Sequence, residues 1–442
     1  MAGRAEVVED TMSTLNTEPD GSTRPSEAPG TFIAVSRGRA AALFPEDGEW
    51  SVRGFPAGDA KVDVTFRTAY EDRGFEARVP RWLFAEVRGR AESLEDAIRR
   101  FPNAARALTP VFDVALNTAV EDLELHFAFD ATLERTERAF FQNFLPDGQP
   151  TLRQTRPVKA TLLSALTDAV GRSPDSVRLH RAAAHYQQAL RFWGLGDETR
   201  AVGQLWMGVE ALTPVAKRAQ FERTGAISPA ELAKALGVEL KQLDPTLRRR
   251  VILGDDEQCY KTVTDVSNGF EHGYMPLDAL RKLAREVRDQ AATYLRTAIL
   301  DLSNVPTAPR NEMLVSPYDS PLIGFPFTKY LRGTISGSGD PAAPGQRYPL
   351  VEWRTDIRSL RKTDDGCHDV QWNEKITPRM GPQMQMTKIS VELWSGDKHT
   401  GTRATMKRAD VERDGAVHDV TRSLQLNGRP DGAPPDLDGE EQ

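Results

Sequence analysis

The sequence predicts a multidomain α+β protein in which a central all-α bundle lies between two β-rich segments. Apolar and polar residues alternate with the strand period before residue 145, the period becomes helical between residues 155 and 303, and strand patterns return after Pro306. A chain of 442 residues is also too long for one ordinary hydrophobic core. We therefore expect a disordered tail, an α+β domain, an antiparallel helical bundle, a β-rich module and a disordered acidic tail, at residues 1–30, 31–145, 155–303, 310–427 and 428–442.

The first domain opens with strand patterns at residues 31–36, 50–55 and 61–68, separated by turn sequences. Ser93 is a favourable N-cap for a helix that we expect to end near Phe101-Pro102, because proline disrupts a helix interior. A second helical stretch follows over residues 103–119, with Pro110 breaking or kinking it midway.

Residues 121–130 return to an alternation of period two. The alternation predicts that Phe127 and Phe129 share a face with Leu123 and Leu125. The other face carries Glu124, His126 and Asp130, and we interpret His126 as a solvent-facing residue. Phe140 and Phe141 are interpreted as core residues, since no basic side chains are interleaved with them in the sequence.

The central segment has the pattern of helices joined by short turns, which favours an antiparallel bundle. The final helix has the clearest apolar stripe, from Leu277 to Leu302. The other helices are predicted over residues 158–172, 174–193, 198–212, 228–236 and 256–266. In the third segment, residues 384–394 alternate as a strand, and residues 411–420 have the strand–Asp-Gly–strand pattern of a hairpin.

The composition and the absence of standard motifs exclude several classes of protein. The net charge of -7 argues against a generally basic nucleic-acid-binding coat, although a local basic cleft remains compatible with it. No apolar run has the roughly 18 residues needed to cross a bilayer, so we expect no membrane partner. The N-terminal residues lack the apolar core of a secretory signal, and two distant cysteines suit a reducing compartment, so the expected location is the cytoplasm. No phosphate-binding loop, dinucleotide motif or metal-ligand spacing is present, and we expect no cofactor and no metal.

One cluster could carry chemistry. The stretch Val266-Ser267-Asn268-Gly269-Phe270-Glu271-His272-Gly273-Tyr274 precedes the last long helix. It resembles the Arg-Asn-x-x-x-His motif of the HEPN family, which occupies the same place in that family's helical bundle, and the ApeA-like branch is the most similar. The upstream QLWMGVEAL (Gln204 to Leu212) is similar to a family helix that carries a Trp, an acidic residue and a Leu. The resemblance covers about a third of the chain.

The resemblance implies a site for RNA. In active HEPN members the histidine is a general acid or base at the RNA 2′-hydroxyl or the leaving oxygen, and the arginine holds the scissile phosphate. These roles suit an imidazole, which gains and loses a proton near neutrality, and a guanidinium, which matches phosphate geometry. The resemblance assigns His272, Asn268 and Glu210 to the catalytic set.

The departure from the motif lies at Ser267, which stands where the family has arginine. Loss of a preorganised charge at a transition state costs about 3–4 kcal/mol. The nearest preceding basic run is Arg248-Arg249-Arg250, and we expect these residues to contact the nucleic acid.

Each of these residues also has an ordinary structural explanation. His272 could cap the final helix, and Asn268 could belong to a common Asn-Gly turn. Glu210 could be satisfied within the bundle, and the arginine run could be a solvated face. The preferred hypothesis is an RNA- or nucleotide-binding homodimer with a degenerate ribonuclease motif, in an antiviral defence or RNA-regulatory role. The alternatives are an active metal-independent endoribonuclease that uses His272, and a protein-interaction scaffold without a nucleic-acid role.

Overall fold

A computed structural model describes residues 29–39, 42–72, 74, 78–120, 122–144, 156–194, 196–322, 328–362, 368–395, 398–399, 404–406 and 418–426. The mixed α+β class is confirmed. Both predicted tails fall almost entirely outside the described residues, as do Cys367 and the first strand of the hairpin predicted at residues 411–420.

The N-terminal part forms a six-stranded antiparallel sheet in the order β3-β4-β5-β1-β6-β7. The strands expected at residues 31–36, 50–55 and 61–68 are confirmed, each with one or more added residues at its ends. A short strand, β2, lies outside this sheet and pairs in parallel with β8, which follows later in the chain. The strands are β1 (Gly30–Arg39), β2 (Ala42–Leu43), β3 (Glu49–Ala57), β4 (Ala60–Glu71), β5 (Val79–Ala91), β6 (Glu124–Asp130), β7 (Phe140–Gln142) and β8 (Arg156–Pro157).

One long helix, α1 (Leu94–Leu116), covers one face of this sheet. Ser93 caps it as expected, and its hydroxyl accepts a hydrogen bond from the Asp96 backbone N–H at 3.2 Å. The predicted break at Phe101-Pro102 is wrong, because the helix continues through Pro102 and through Pro110. Both prolines are buried, so burial of this helix against the sheet offsets the hydrogen bonds that they remove.

The predicted alternation in β6 is also wrong. A register shift between Val35 and Ser36 sets Leu125 opposite Ser36 but Phe127 opposite Val35. A bulge of this kind turns the following side chains to the other face of the sheet. Phe127 and Phe129 therefore lie on the face away from α1, while the expected polar residue Asp130 is buried.

The central part contains the predicted helices, several of them longer than expected. The third of them, α4 (Glu198–Thr224), continues past Pro214 for a further ten residues, and α7 (Glu257–His272) extends beyond the predicted end at residue 266. A 3-10 turn (Leu240–Gln242) precedes α6, and a π-helical turn (Arg248–Ile252) follows it. The helices are α2 (Ala160–Arg172), α3 (Ser176–Gly194), α4 (Glu198–Thr224), α5 (Pro229–Ala235), α6 (Leu243–Leu247), α7 (Glu257–His272), α8 (Leu277–Leu302) and α9 (Thr307–Met313).

Side-chain contacts fix the directions of the long helices. Near the end of α7, Gly269 packs on Leu280 at the start of α8. Before the start of α7, the Asp256 carboxylate accepts a hydrogen bond from the Tyr294 hydroxyl, late in α8, so these two helices are antiparallel. The Glu198 carboxylate of α4 accepts a hydrogen bond from Arg285 of α8, and ten residues later in each helix Gly208 packs on Leu295. These two helices are therefore parallel. Alternate helices of an up-and-down arrangement have this relation.

The sheet and the helices share one hydrophobic core. Buried apolar residues of β1, β4, β5, α1, α2, α3, α4, α7 and α8 belong to a contiguous cluster. A second, smaller cluster lies under α5 and α6, around Leu232, Leu243 and Leu247. Because the main cluster is continuous, displacement of α1 would disturb both the sheet and the bundle.

Two further sheets follow α9, with orders β10-β11-β15-β14 and β13-β12-β9. The strand expected over residues 384–394 is confirmed as β12. Within the ranges given above, no helix combines the length and apolar character needed to span a membrane. The strands are β9 (Thr328–Gly337), β10 (Leu350–Lys362), β11 (His368–Arg379), β12 (Met384–Ser395), β13 (Lys398–His399), β14 (Ala404–Met406) and β15 (His418–Leu426).

Candidate functional site

The candidate motif forms the last two turns of α7. Gly273 adopts the left-handed conformation (φ 64°), and its N–H bonds the carbonyl of Gly269 at 3.0 Å, which ends the helix at His272. Asn268 and His272 are four residues apart, so their side chains lie on one side of the helix. Both residues are exposed. No hydrogen bond or ion pair holds the His272 ring to any residue that the structure describes, and its imidazole is accessible to a ligand.

Close packing holds this end of α7 against α8. Gly269 is buried, and a Cβ atom at its position would lie 2.9 Å from Cδ1 of Leu280. Asn268 and Gly269 both lie within α7, so they are helical and do not form a turn. His272 ends α7 and does not cap α8, whose N-cap is Pro276.

Ser267 lies on the packed side of α7, not on the side of His272. It is 2% exposed, and its hydroxyl donates to the Glu271 carboxylate at 3.3 Å. Ser267 thus provides a small neutral group among the packed helices.

The arginine run is engaged in other contacts. Arg248 forms an ion pair with Glu210 at 3.3 Å, donates to the Thr213 hydroxyl at 3.1 Å and lies 5.2 Å from the Trp206 ring centroid. Arg249 forms ion pairs with Asp255 and, at 3.1 Å, with Glu257. Arg250 donates to the carbonyl of Leu236 at 3.1 Å. Carboxylates therefore balance two of the three charges.

The candidate residues fall into two groups at different ends of α7. Glu210 and Arg248 lie together beside Trp206, whose ring is 6.0 Å from that of Tyr260 in the first turn of α7. His272 is twelve positions after Tyr260 in this helix, which at a rise of 1.5 Å per residue is about 18 Å. The structure therefore brings Glu210 to Arg248, and Asn268 to His272, but does not unite the two pairs.

A basic stretch on α8 was missed in the sequence. Arg281, Lys282 and Arg285 are exposed, and they lie within five residues of Leu280, the residue that packs on Gly269. Arg285 is 59% exposed although it also bonds the buried Glu198 at 3.2 Å. These cations lie in the helix that starts five residues after His272. Their spacing between the apolar stripe residues was visible in the sequence, but the contact of this end of α8 with the motif helix depends on how α7 packs on α8.

The chemistry available at the end of α7 is that of an exposed imidazole and amide, and exposed cations follow in the first turns of α8. No group of three or more His, Cys, Asp or Glu residues suited to a metal ion occurs in the part of the chain that the structure describes. No protein-family model, curated protein or solved structure matches the chain significantly.

Proposed function

We propose that this chain is an RNA- or nucleotide-binding protein of the HEPN type with a degenerate ribonuclease motif, and that it binds where α7 ends and α8 begins. The observation that supports the proposal is the exposed pair Asn268 and His272, followed by the exposed cations Arg281, Lys282 and Arg285. Imidazole and amide groups donate hydrogen bonds to phosphate and base edges, and basic side chains supply the electrostatic attraction.

Binding is favoured over cleavage because no guanidinium from the motif is available. Ser267 is buried and neutral, and Arg248 pairs with Glu210 near the other end of α7. An uncompensated transition-state charge costs about 3–4 kcal/mol, which is several hundredfold in rate. The resemblance to HEPN proteins further supports a homodimer and a role in antiviral defence as parts of the same proposal.

A binding titration tests the proposal. We expect His272→Ala combined with Asn268→Ala to weaken the binding of a labelled single-stranded RNA about tenfold at low salt, because each side chain loses a hydrogen bond to the ligand. The double variant Arg281→Ala and Lys282→Ala should reduce the slope of log K against log salt by roughly 0.7 for each phosphate that these side chains neutralise. Fluorescence anisotropy over a salt series measures both quantities.

The matched control is Arg99→Ala, which removes a 77% exposed arginine of α1, far along the chain from the bundle. Unchanged affinity in all bundle variants would refute this binding site. If the protein cleaves RNA and His272→Ala abolishes the cleavage, the endoribonuclease alternative replaces the proposal. Absence of any RNA binding at low salt would favour the interaction scaffold.

A further inference from the structure

The six-stranded sheet has a second face, which we call the outer face: the one opposite α1. Successive residues of a strand point to opposite faces. Leu83 is buried on the α1 side, so its neighbours Trp82 and Phe84 lie on the outer face, and both are only partly buried. The bulge in β6 adds Phe127 and Phe129 to the same face.

Aromatic rings form a band across this face, from β5 to the edge strand β7. The rings of Phe84 and His126 are parallel within 6° at a centroid distance of 6.3 Å. His126 is 5.3 Å from Phe127, which is 6.4 Å from Phe129 at an interplanar angle of 25°. Phe140 pairs with Phe129 in the ladder and is 62% exposed. The interpretation of Phe140 and Phe141 as core residues is therefore wrong, since Phe141 is also 38% exposed.

Guanidinium groups are interleaved with these rings. Arg37, which is only 7% exposed, lies 4.5 Å from the centroid of Trp82, and the exposed Arg67 lies 5.3 Å from that of Phe84. Arg88 is exposed on the same face, opposite Ile33. The face also carries carboxylates, so its charge is mixed rather than uniformly positive. These acidic residues are Glu49, Asp63, Glu86 and Glu124.

We propose that the outer face binds single-stranded nucleic acid, with bases stacked on the aromatic band and phosphates held by the exposed Arg67 and Arg88. Stacking on exposed rings requires bases whose own faces are free, which a single strand offers and a duplex does not. Guanidinium groups beside the rings suit both phosphate oxygens and base faces. A purely apolar partner would offer the exposed guanidinium groups of Arg67 and Arg88 no acceptor oxygens, so the combination favours a polyanion that carries flat rings.

This surface is separate from the end of α7 and does not depend on the function proposed there. The rings belong to β5, β6 and β7, and the arginines to β1, β4 and β5, so the pattern exists only after the sheet has formed.

Substitutions that remove the aromatic character but keep an apolar side chain test the proposal. We expect Phe129→Leu and Phe140→Leu each to weaken the binding of a fluorescent twelve-nucleotide oligouridine about tenfold, because one base no longer stacks on a ring. Leucine preserves most of the apolar contact area, so a loss of affinity reports the ring itself. The control is Tyr348→Leu, which removes a ring that is 68% exposed and lies outside this sheet.

A charge variant adds an independent readout. Arg67→Gln should reduce the salt slope by roughly 0.7, the value for one phosphate contact on a single strand. Its control, Arg99→Gln, removes an exposed arginine from α1, on the other side of the sheet, and should leave the slope unchanged.

Oligothymidine and a duplex hairpin complete the experiment. Binding of both single strands supports contacts to bases and phosphates, and preference for RNA supports added contacts to the 2′-hydroxyl. Equal or stronger binding of the duplex would overturn the proposal, as would unchanged affinity in both phenylalanine variants. Affinity that falls in His272→Ala but not in the sheet variants would overturn this proposal and leave the proposed function intact.

Discussion

Replacement of Arg296 by methionine is expected to lower the free energy of unfolding by about 3 kcal/mol, because buried carbonyl groups lose their donors. Arg296 is 2% exposed and is among the largest fully buried side chains. Its guanidinium donates hydrogen bonds to the backbone carbonyls of Val114 at 2.6 Å and Ala115 at 3.1 Å, both near the C-terminal end of α1. It also donates to the carbonyls of Met313 and Tyr318 in the segment after α8.

The effect is limited by the cost of burying a charge. Burial lowers the pKa of Arg296 to about 10, which shows that the charged guanidinium is unfavourably desolvated. Methionine carries no charge, so the variant avoids this desolvation penalty and loses less stability than the hydrogen bonds alone would suggest. The Tyr318 carbonyl also keeps a second donor, the Asn117 amide at 3.0 Å. Urea denaturation measures the loss, and Arg99→Met, at an exposed site, should change stability by under about 0.5 kcal/mol. Equal stability of Arg296→Met and the parent protein would show that these carbonyl contacts do not tie α1 to α8.

Asp113→Asn is expected to stabilise the protein at neutral and alkaline pH. Asp113 is fully buried in α1, and burial holds the pKa of its carboxyl well above the ordinary range, although the Val120 N–H and the charge of Arg191 act in the opposite direction. The native state therefore keeps a proton that the unfolded chain releases above about pH 4. Stability from this group is complete below that pH and falls as pH rises toward the native pKa.

The slope of this loss is up to about 1.4 kcal/mol per pH unit for one proton. Asparagine cannot ionise, and its oxygen can still accept from Val120, so the stability of the variant should lack this slope. Denaturation midpoints at pH 5, 7 and 8.5 test the prediction. A stability difference between variant and parent that is the same at all three values would contradict it.

Local signals in the sequence were enough for elements whose boundaries are set locally. Ser228 and Pro229 marked the start of α5, and the stripe from Leu277 to Leu302 matched α8 at both ends. Boundaries that depend on tertiary packing were missed. Pro102 and Pro214 each lie inside a long helix whose buried face compensates for the proline, and nothing next to them in the sequence reports that burial.

In the candidate site, too, local features could be predicted from the sequence and features that depend on tertiary packing could not. The position of His272 before the last long helix could be predicted because the apolar stripe defines α8, but the extension of α7 to His272 was missed. The partners of Glu210 and of the arginine run could not, since Glu210 and Arg248 are 38 residues apart in the chain and meet only across the bundle. The outer face was missed because a one-residue bulge in β6 moved Phe127 and Phe129 away from the predicted face.

Photo-crosslinking is the most direct test of the proposed binding site. Trypsin releases residues 262–281 as one peptide, which contains Asn268, His272 and the 60% exposed Tyr274. With single-stranded RNA that contains 4-thiouridine, we predict a crosslink within this peptide that an excess of unlabelled RNA removes. If RNA binds and crosslinks form elsewhere, but none forms in residues 262–281, the end of α7 is not where this protein holds RNA.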